Sequence, residues 1–170
     1  MSGVREWVGL VVRVVSGGVL LVAGALKLPD PAASVRAVKA YDLLPAGLAP
    51  GVGYLLPVLE VVVGVLLIVG LLTRGAAGVA ALLYLAFSIG IASAWARGLT
   101  IDCGCFGGGG QDPDAASAYP WDLARDGVLL LASVWLVWRP RTRLSLDNRL
   151  FPPISLEPVP VPVVQHRNES

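Results

Sequence analysis

The two cysteines of this 170-residue chain, Cys103 and Cys105, are separated by one residue in a glycine-rich stretch between hydrophobic segments. A disulfide between them would close a three-residue loop, which contributes roughly 1.6 kcal/mol in the chain-entropy model before ring strain is subtracted. Gly104 accepts the tight backbone that such a bridge needs. Because strain raises the reduction potential of a disulfide, the pair favours thiol–disulfide exchange over a structural role.

The neighbours of the pair bear on how reactive its thiols are. Exchange requires a thiolate that a partner can reach, and the glycines at 107–110 beside Phe106 offer an open approach. The carboxylate of Asp102 disfavours a thiolate unless Arg97 or Arg125 neutralises it. The sequence leaves open which cysteine attacks, and whether Arg97 tunes a thiol or marks the membrane interface.

Other chemistries are less well supported by the residues present. Two cysteines supply half of a zinc site, but His166 is the only histidine and lies in the C-terminal tail, so no metal is predicted. A net charge of +1 without a basic stripe excludes a nucleic-acid partner. The chain has no phosphate loop, serine–histidine set or dinucleotide fingerprint.

The composition indicates an integral membrane protein, since 55% of the residues are hydrophobic and 15% are charged. The mean hydropathy is +0.72. A bilayer-spanning helix needs about 20 apolar residues. Four segments approach this, at residues 7–28, 52–72, 75–95 and 118–138. The fourth is the weakest, because three charged residues leave a clean apolar run only at 127–138.

Arginine placement predicts that all four segments cross the membrane, because cytoplasmic ends concentrate basic residues. Four crossings put the following arginines on one side: Arg5, Arg13, Arg74, Arg139, Arg141, Arg143 and Arg149. We therefore expect a membrane domain at 1–138, a flexible proline-rich cytoplasmic tail at 139–170, both termini in the cytoplasm and the cysteine loop outside. The alternative for the first segment is a signal peptide cleaved near residues 23–25.

Between the first two spans, residues 32–48 predict a short interfacial helix that ends at Pro45. Tyr41 in this stretch is either a headgroup anchor or a neighbour of the cysteine loop. The expected fold is therefore all-α, a four-helix membrane bundle with one interfacial helix and a redox loop between spans three and four.

Charged residues within apolar segments are costly and need an explanation. Glu60 is either functional or a structural ion-pair partner of Lys27 or an arginine. We expect Lys27, Glu60, Arg97 and Arg125 to form a polar cluster beneath the loop that tunes the thiols or guides protons. Small residues at 17, 18 and 23–25 predict close helix packing.

The ordered motifs resemble a known family. Residues 97–107, RGLTIDCGCFG, resemble the signature loop of the methylamine utilization protein MauE family, which is related to DoxX-like membrane proteins. Residues 27–31, 41–45 and 56–60, and Trp121 with Arg125, match in order and spacing, so the resemblance extends from about residue 8 to 138. It implies a four-helix membrane protein associated with disulfide formation, working beside a thioredoxin-like protein. In the namesake pathway the implied role is maturation of the disulfide-rich small subunit of methylamine dehydrogenase.

The chain is also functionally similar to DsbB and vitamin K epoxide reductases, four-helix oxidases that send electrons to quinone. It has one cysteine pair where they have two, so a partner would supply the second pair and quinone is only a candidate cofactor. The expected partners are the lipid bilayer, a thioredoxin-fold protein and an exported disulfide-containing substrate. The competing hypothesis is a non-enzymatic assembly factor or chaperone whose cysteines stabilise a docking loop.

Overall fold

The computed structural model describes residues 2–102, 104, 115–139 and 145–147. These residues form five helices of ten residues or more: α1 (Ser2–Lys27), α2 (Pro31–Ala40), α3 (Ala49–Val69), α4 (Thr73–Ala96) and α5 (Ala115–Trp138). The all-helical fold predicted from the sequence is confirmed for this part of the chain. Cys103, Cys105 and Phe106 lie outside the described residues.

Among the described helices, three are long and apolar enough to cross a membrane, at Gly3–Lys27, Ala49–Val69 and Thr73–Ala96. They confirm the first three predicted segments, although the second segment begins and ends three residues earlier than expected. It ends there because Gly70 adopts a left-handed conformation with φ 74°, and its N–H caps the carbonyls of the last turn. α5 is helical as expected, but its charged first half keeps it outside this group of three.

The interfacial helix is shorter than expected. It was predicted at 32–48 with Pro45 as its end, but α2 covers only Pro31–Ala40. Asp30 caps its start by accepting a backbone N–H of the first turn at 3.0 Å. Its end precedes Pro45 because Asp42 takes a left-handed backbone with φ 48°, which no α-helix continues.

Helices α1 and α3 pack backbone to backbone through glycines. A Cβ atom at Gly17 would lie 2.8 Å from the Gly64 carbonyl oxygen, and one at Gly24 would lie 2.7 Å from the Pro57 carbonyl oxygen. Larger side chains would therefore force the two helices apart. The predicted close packing is confirmed at Gly17 and Gly24, whereas Gly18 has no atom within 4 Å of such a Cβ.

The hydrophobic core lies where α1, α3, α4 and α5 meet. Its fully buried members include Leu20, Leu67, Ala77, Ala80 and Leu136. The alanines belong to the face of α4 in the core, and their small side chains let neighbouring helices approach closely. Tyr84 adds a polar link across this core by donating its hydroxyl to the Ser16 carbonyl at 2.8 Å.

The two ends of the bundle carry different structures. At one end, which we call the turn end, residues 70–72 connect α3 to α4. There the Asp147 carboxylate accepts the backbone N–H groups of Leu72 and Thr73 at 2.7 and 2.8 Å. The Ser145 hydroxyl donates to the Gly70 carbonyl at 2.7 Å. The opposite end, the loop end, holds α2, residues 97–102 and the start of α5. Leu136, near the end of α5, belongs to the buried core cluster that also contains Leu67 and Ala76, which flank the turn end.

Candidate functional site

The segment leading into the cysteine pair is held against α5 by a tyrosine. The Tyr119 hydroxyl lies 2.8 Å from the carbonyl oxygens of both Leu99 and Ile101 and accepts the Ile101 N–H at 3.2 Å. Tyr119 and Ile101 are buried, and Ile91 and Ala94 of α4 complete this small apolar cluster. Residues 99–101 therefore have a defined position at the loop end.

Gly104, the residue between the two cysteines, is held in a left-handed conformation with φ 65°. Its N–H donates to the Asp102 carboxylate at 3.1 Å, which closes a local turn. A Cβ atom at this position would lie 2.9 Å from the Ala37 Cβ on α2. A glycine is thus required here both by the backbone conformation and by the contact with α2.

Arg97 ties the end of α4 to the end of α2. Its guanidinium donates to the backbone carbonyl of Tyr41 and, at 3.3 Å, to the carbonyl of Ser93. The ring of Tyr41 lies beside Gly90, where an added Cβ would be 3.5 Å from Tyr41 Cε1. Tyr41 therefore lies between the end of α2 and α4.

Lys27 and Glu60 form a buried ion pair between α1 and α3. Lys27 Nζ lies 2.7 Å from Glu60 Oε1, and the two side chains are 5% and 0% exposed. Nζ also lies 5.3 Å from the centre of the Phe87 ring, a distance typical of a cation–π contact. Lys27 is one of the ion-pair partners that the sequence allowed for Glu60. Removing either side chain would leave the other charge buried without a partner, which is strongly destabilising.

Arg125 belongs to a different group of charges on α5. It pairs with Asp122 at 2.9 Å and with the buried Asp126 at 3.0 Å. Asp126 is 2% exposed, and its Oδ2 has no hydrogen-bond partner among the described residues. Sequence reasoning missed Asp126 as a site residue, although an acid in an apolar segment is the same signal that marked Glu60.

Lys27, Glu60, Arg97 and Arg125, which the sequence predicts to form one polar cluster, have the following contacts in the described part of the chain. Lys27 contacts Glu60 on the inside, Arg125 contacts two aspartates of its own helix, and Arg97 contacts backbone carbonyls at the loop end. Trp121 is 75% exposed on the outer face of α5.

An apolar pocket joins several of these residues. It has a volume of about 230 Å³ and lies between α2, α3, α4 and the stretch after α2. Lys27 and Tyr41, both predicted site residues, line it together with Gly104. Sequence reasoning missed two further lining residues, Ser34 and Phe87, because neither stands out from an ordinary helix composition. The described residues contain no group of three or more histidine, cysteine or acidic side chains placed to hold a metal ion.

These features define a helical membrane protein in which one end of the bundle supports a paired-cysteine loop. Residues 5–139 match the family described as Methylamine utilisation protein MauE. The chain belongs to the MauE family, as its motifs predicted, and this membership connects it with methylamine utilisation. No curated protein and no solved structure matches the chain.

Proposed function

We propose that this protein is a membrane thiol–disulfide redox protein that supports disulfide formation in, or maturation of, an exported protein. Cys103 and Cys105 are its reactive pair. The observation that carries the proposal is the fixed conformation of Gly104, which is bonded to both cysteines and is packed between the Asp102 carboxylate and α2. Because Gly104 joins the two cysteines and its own position is fixed, the arrangement suits repeated formation and reduction of a disulfide between them.

The chemistry is an exchange with a thioredoxin-fold partner. A thiolate of one protein attacks the disulfide of the other and forms a mixed disulfide, and the remaining thiol of the attacking pair then displaces the partner. Two electrons and two protons pass from the dithiol that is oxidised to the disulfide that is reduced. Asp102, Arg97 and Tyr119 act as positioning residues, while Phe106 and Trp121 provide apolar contact surface for the partner.

The membrane topology supports this role. We infer four spans, with α5 as the fourth, because Tyr119 near its start holds residues 99–101 at the loop end, while Leu136 near its end belongs to the core cluster beside the turn end. Arg5, Arg13 and Arg74 are at the turn end, and Arg139 follows α5 there, so the turn end faces the cytoplasm by the positive-inside rule. The loop end then faces the outside, where disulfides persist. Residues 1–138 form the membrane domain and residues 139–170 a cytoplasmic tail.

The test is to trap the partner with single-cysteine variants. Cys105→Ser and Cys103→Ser are each expressed in cells, and covalent adducts are separated on non-reducing gels and identified by mass spectrometry. One variant is expected to accumulate a mixed disulfide with a thioredoxin-fold protein, because the resolving thiol is missing. The double serine variant is the control and gives no adduct.

A redox titration with thiol alkylation distinguishes the proposed redox role from the competing structural role of the cysteines. A reversible dithiol–disulfide couple in the wild-type chain supports the proposal. A pair that stays fully reduced or fully oxidised across the titration contradicts it, and would make the protein an assembly factor whose cysteines are structural.

A further inference from the structure

We propose that the pocket between α2, α3 and α4 binds a quinone, which accepts the electrons of the cysteine pair. The binding site is argued from described residues alone. The electron transfer rests on the proposed function, because it requires that Cys103 and Cys105 cycle between dithiol and disulfide.

The size and walls of the pocket suit an aromatic ring system. An engineered apolar cavity of about 150 Å³ holds benzene, so a volume of about 230 Å³ holds a head group of one or two rings. Leu56 and Val52 of α3 line the pocket together with Phe87 of α4, and Tyr41 contributes a second aromatic ring. Aromatic rings favour stacked or edge-to-face contacts with a planar ligand.

The pocket also holds two hydrogen-bond donors within these apolar walls. Ser34 lines it and is 5% exposed, yet its Oγ has no hydrogen-bond partner among the described residues. Lys27 lines it as well, and its ammonium group carries three N–H donors, of which Glu60 Oε1 accepts one. A buried donor without a partner is costly, so a ligand oxygen that accepts from Ser34 recovers that cost.

Charge decides what kind of acceptor fits. Glu60 neutralises Lys27 at 2.7 Å, so the pocket offers donors without net positive charge. An anionic ligand would bring an uncompensated charge next to a buried carboxylate, which is unfavourable. A neutral carbonyl oxygen on an apolar ring meets both conditions. A lipid acyl chain fills the apolar walls but leaves Ser34 without an acceptor.

The position of Gly104 links this ligand to the proposed chemistry. Gly104 is part of the pocket wall, and each cysteine is joined to it by one peptide bond. In the step that we propose, two S–H bonds break and one S–S bond forms. The two electrons and two protons released convert the quinone to a quinol, so the protein is left as the disulfide that oxidises its partner.

Binding is tested on the purified full chain in detergent, with ubiquinone-1 and menadione as probes in equilibrium dialysis. Ala86→Phe places a ring inside the pocket, and we expect it to weaken binding at least tenfold. Ala92→Phe is the matched control, because Ala92 is an exposed residue of the same helix outside the pocket lining, and it should bind like the wild type.

A second variant tests the hydrogen bond. Ser34→Ala should bind about three- to tenfold more weakly, the fold-change that corresponds to one neutral hydrogen bond. Ser133→Ala is its control, since Ser133 is also buried and also lacks a partner among the described residues, but lies on α5. Equal binding by the wild type and Ala86→Phe overturns the inference. Displacement of both probes by excess phospholipid also overturns it and identifies an acyl chain as the occupant.

Two measurements separate this inference from the proposed function. The Cys103→Ser/Cys105→Ser variant should still bind both probes, whereas only the reduced wild-type chain should convert ubiquinone-1 to its quinol under anaerobic conditions. A reversible thiol couple without quinone binding refutes the inference and leaves the proposed function standing. Quinone binding by a chain whose cysteines never change state refutes the electron transfer and the proposed function, but not the binding site.

Discussion

At the scale of single residues, Gly104 is where the cysteine pair meets the fold. Its left-handed backbone and its contact with Ala37 are separate constraints, and the chain offers a way to tell them apart. Gly98 has the same φ of 65° but has no atom within 4 Å of an added Cβ. The two glycines therefore share the same φ angle but differ in the space available to a Cβ atom.

We expect Gly104→Ala to perturb the cysteine pair more than Gly98→Ala does. Each substitution costs about 1–2 kcal/mol for the left-handed backbone, and Gly104→Ala adds a clash because its Cβ would lie 2.9 Å from the Ala37 Cβ. The measurements are the free energy of unfolding in detergent and the reduction potential of the pair. Adding Ala37→Gly should relieve the second cost only. Identical potentials for the two alanine variants would contradict the role of α2.

The buried ion pair gives a second prediction at this scale. Lys27→Met should destabilise the protein by about 3–5 kcal/mol, because it leaves the Glu60 carboxylate buried and unmatched. Lys27→Met/Glu60→Leu should recover most of that loss. Lys39→Met, at an exposed position on α2, is the control. The measurement is the free energy of unfolding in detergent, and a double variant no more stable than Lys27→Met would contradict this explanation.

At the scale of elements, the loop before the cysteines depends on α5. We expect Tyr119→Phe to release residues 99–101, because the buried carbonyls of Leu99 and Ile101 lose the hydroxyl, at a cost of about 1–3 kcal/mol. Hydrogen exchange at the Ile101 amide should accelerate accordingly. Tyr54→Phe, on the exposed surface of α3, should change neither exchange nor stability. Unchanged Ile101 exchange in Tyr119→Phe would show that the loop is held by other contacts.

The start of α4 depends on a residue that follows α5. Burial tends to raise the pKa of Asp147, but hydrogen bonds from Thr73 and Leu72 and the charge of Arg13 lower it more, so the net pKa is below its usual value. Because the folded-state pKa is the lower one, this stabilisation is complete above the unfolded pKa of about 3.9 and is lost as pH falls through the folded value.

We therefore expect Asp147→Asn to cost about 1 kcal/mol at pH 7, because both carboxylate oxygens accept an amide N–H and the NH2 group that replaces one of them cannot. The difference from the wild type should stay constant between pH 5 and 8 and shrink below about pH 4. Unfolding in detergent across this pH range measures it. Asp42→Asn, at an exposed left-handed position that asparagine tolerates, is the control. A difference that grows toward acid pH would contradict the lowered pKa.

At the scale of the whole molecule, the position of the loop relative to the membrane decides whether disulfide chemistry is available to it. We expect an alkaline phosphatase fusion after residue 98 to be active and one after residue 139 to be inactive, because that enzyme folds only outside the cytoplasm. A green fluorescent protein fused at the same two positions should give the reverse pattern. Activity at both positions would mean that α5 does not cross the membrane.

The sequence alone was enough for the features that depend on local composition. Apolar runs of sufficient length predicted the three helices that are long and apolar enough to span a membrane, and a charge in an apolar segment marked Glu60 as a residue needing a partner. These signals need no knowledge of which helices are neighbours.

Only the tertiary structure decided the contacts between distant parts of the chain. The pocket at Ser34 and Phe87, the bond from Tyr119 to Ile101 and the cap from Asp147 to Thr73 each join segments that hydropathy treats separately. The physical reason is that helix packing and rotation set these neighbours, whereas hydropathy reports only whether each helix is buried in lipid.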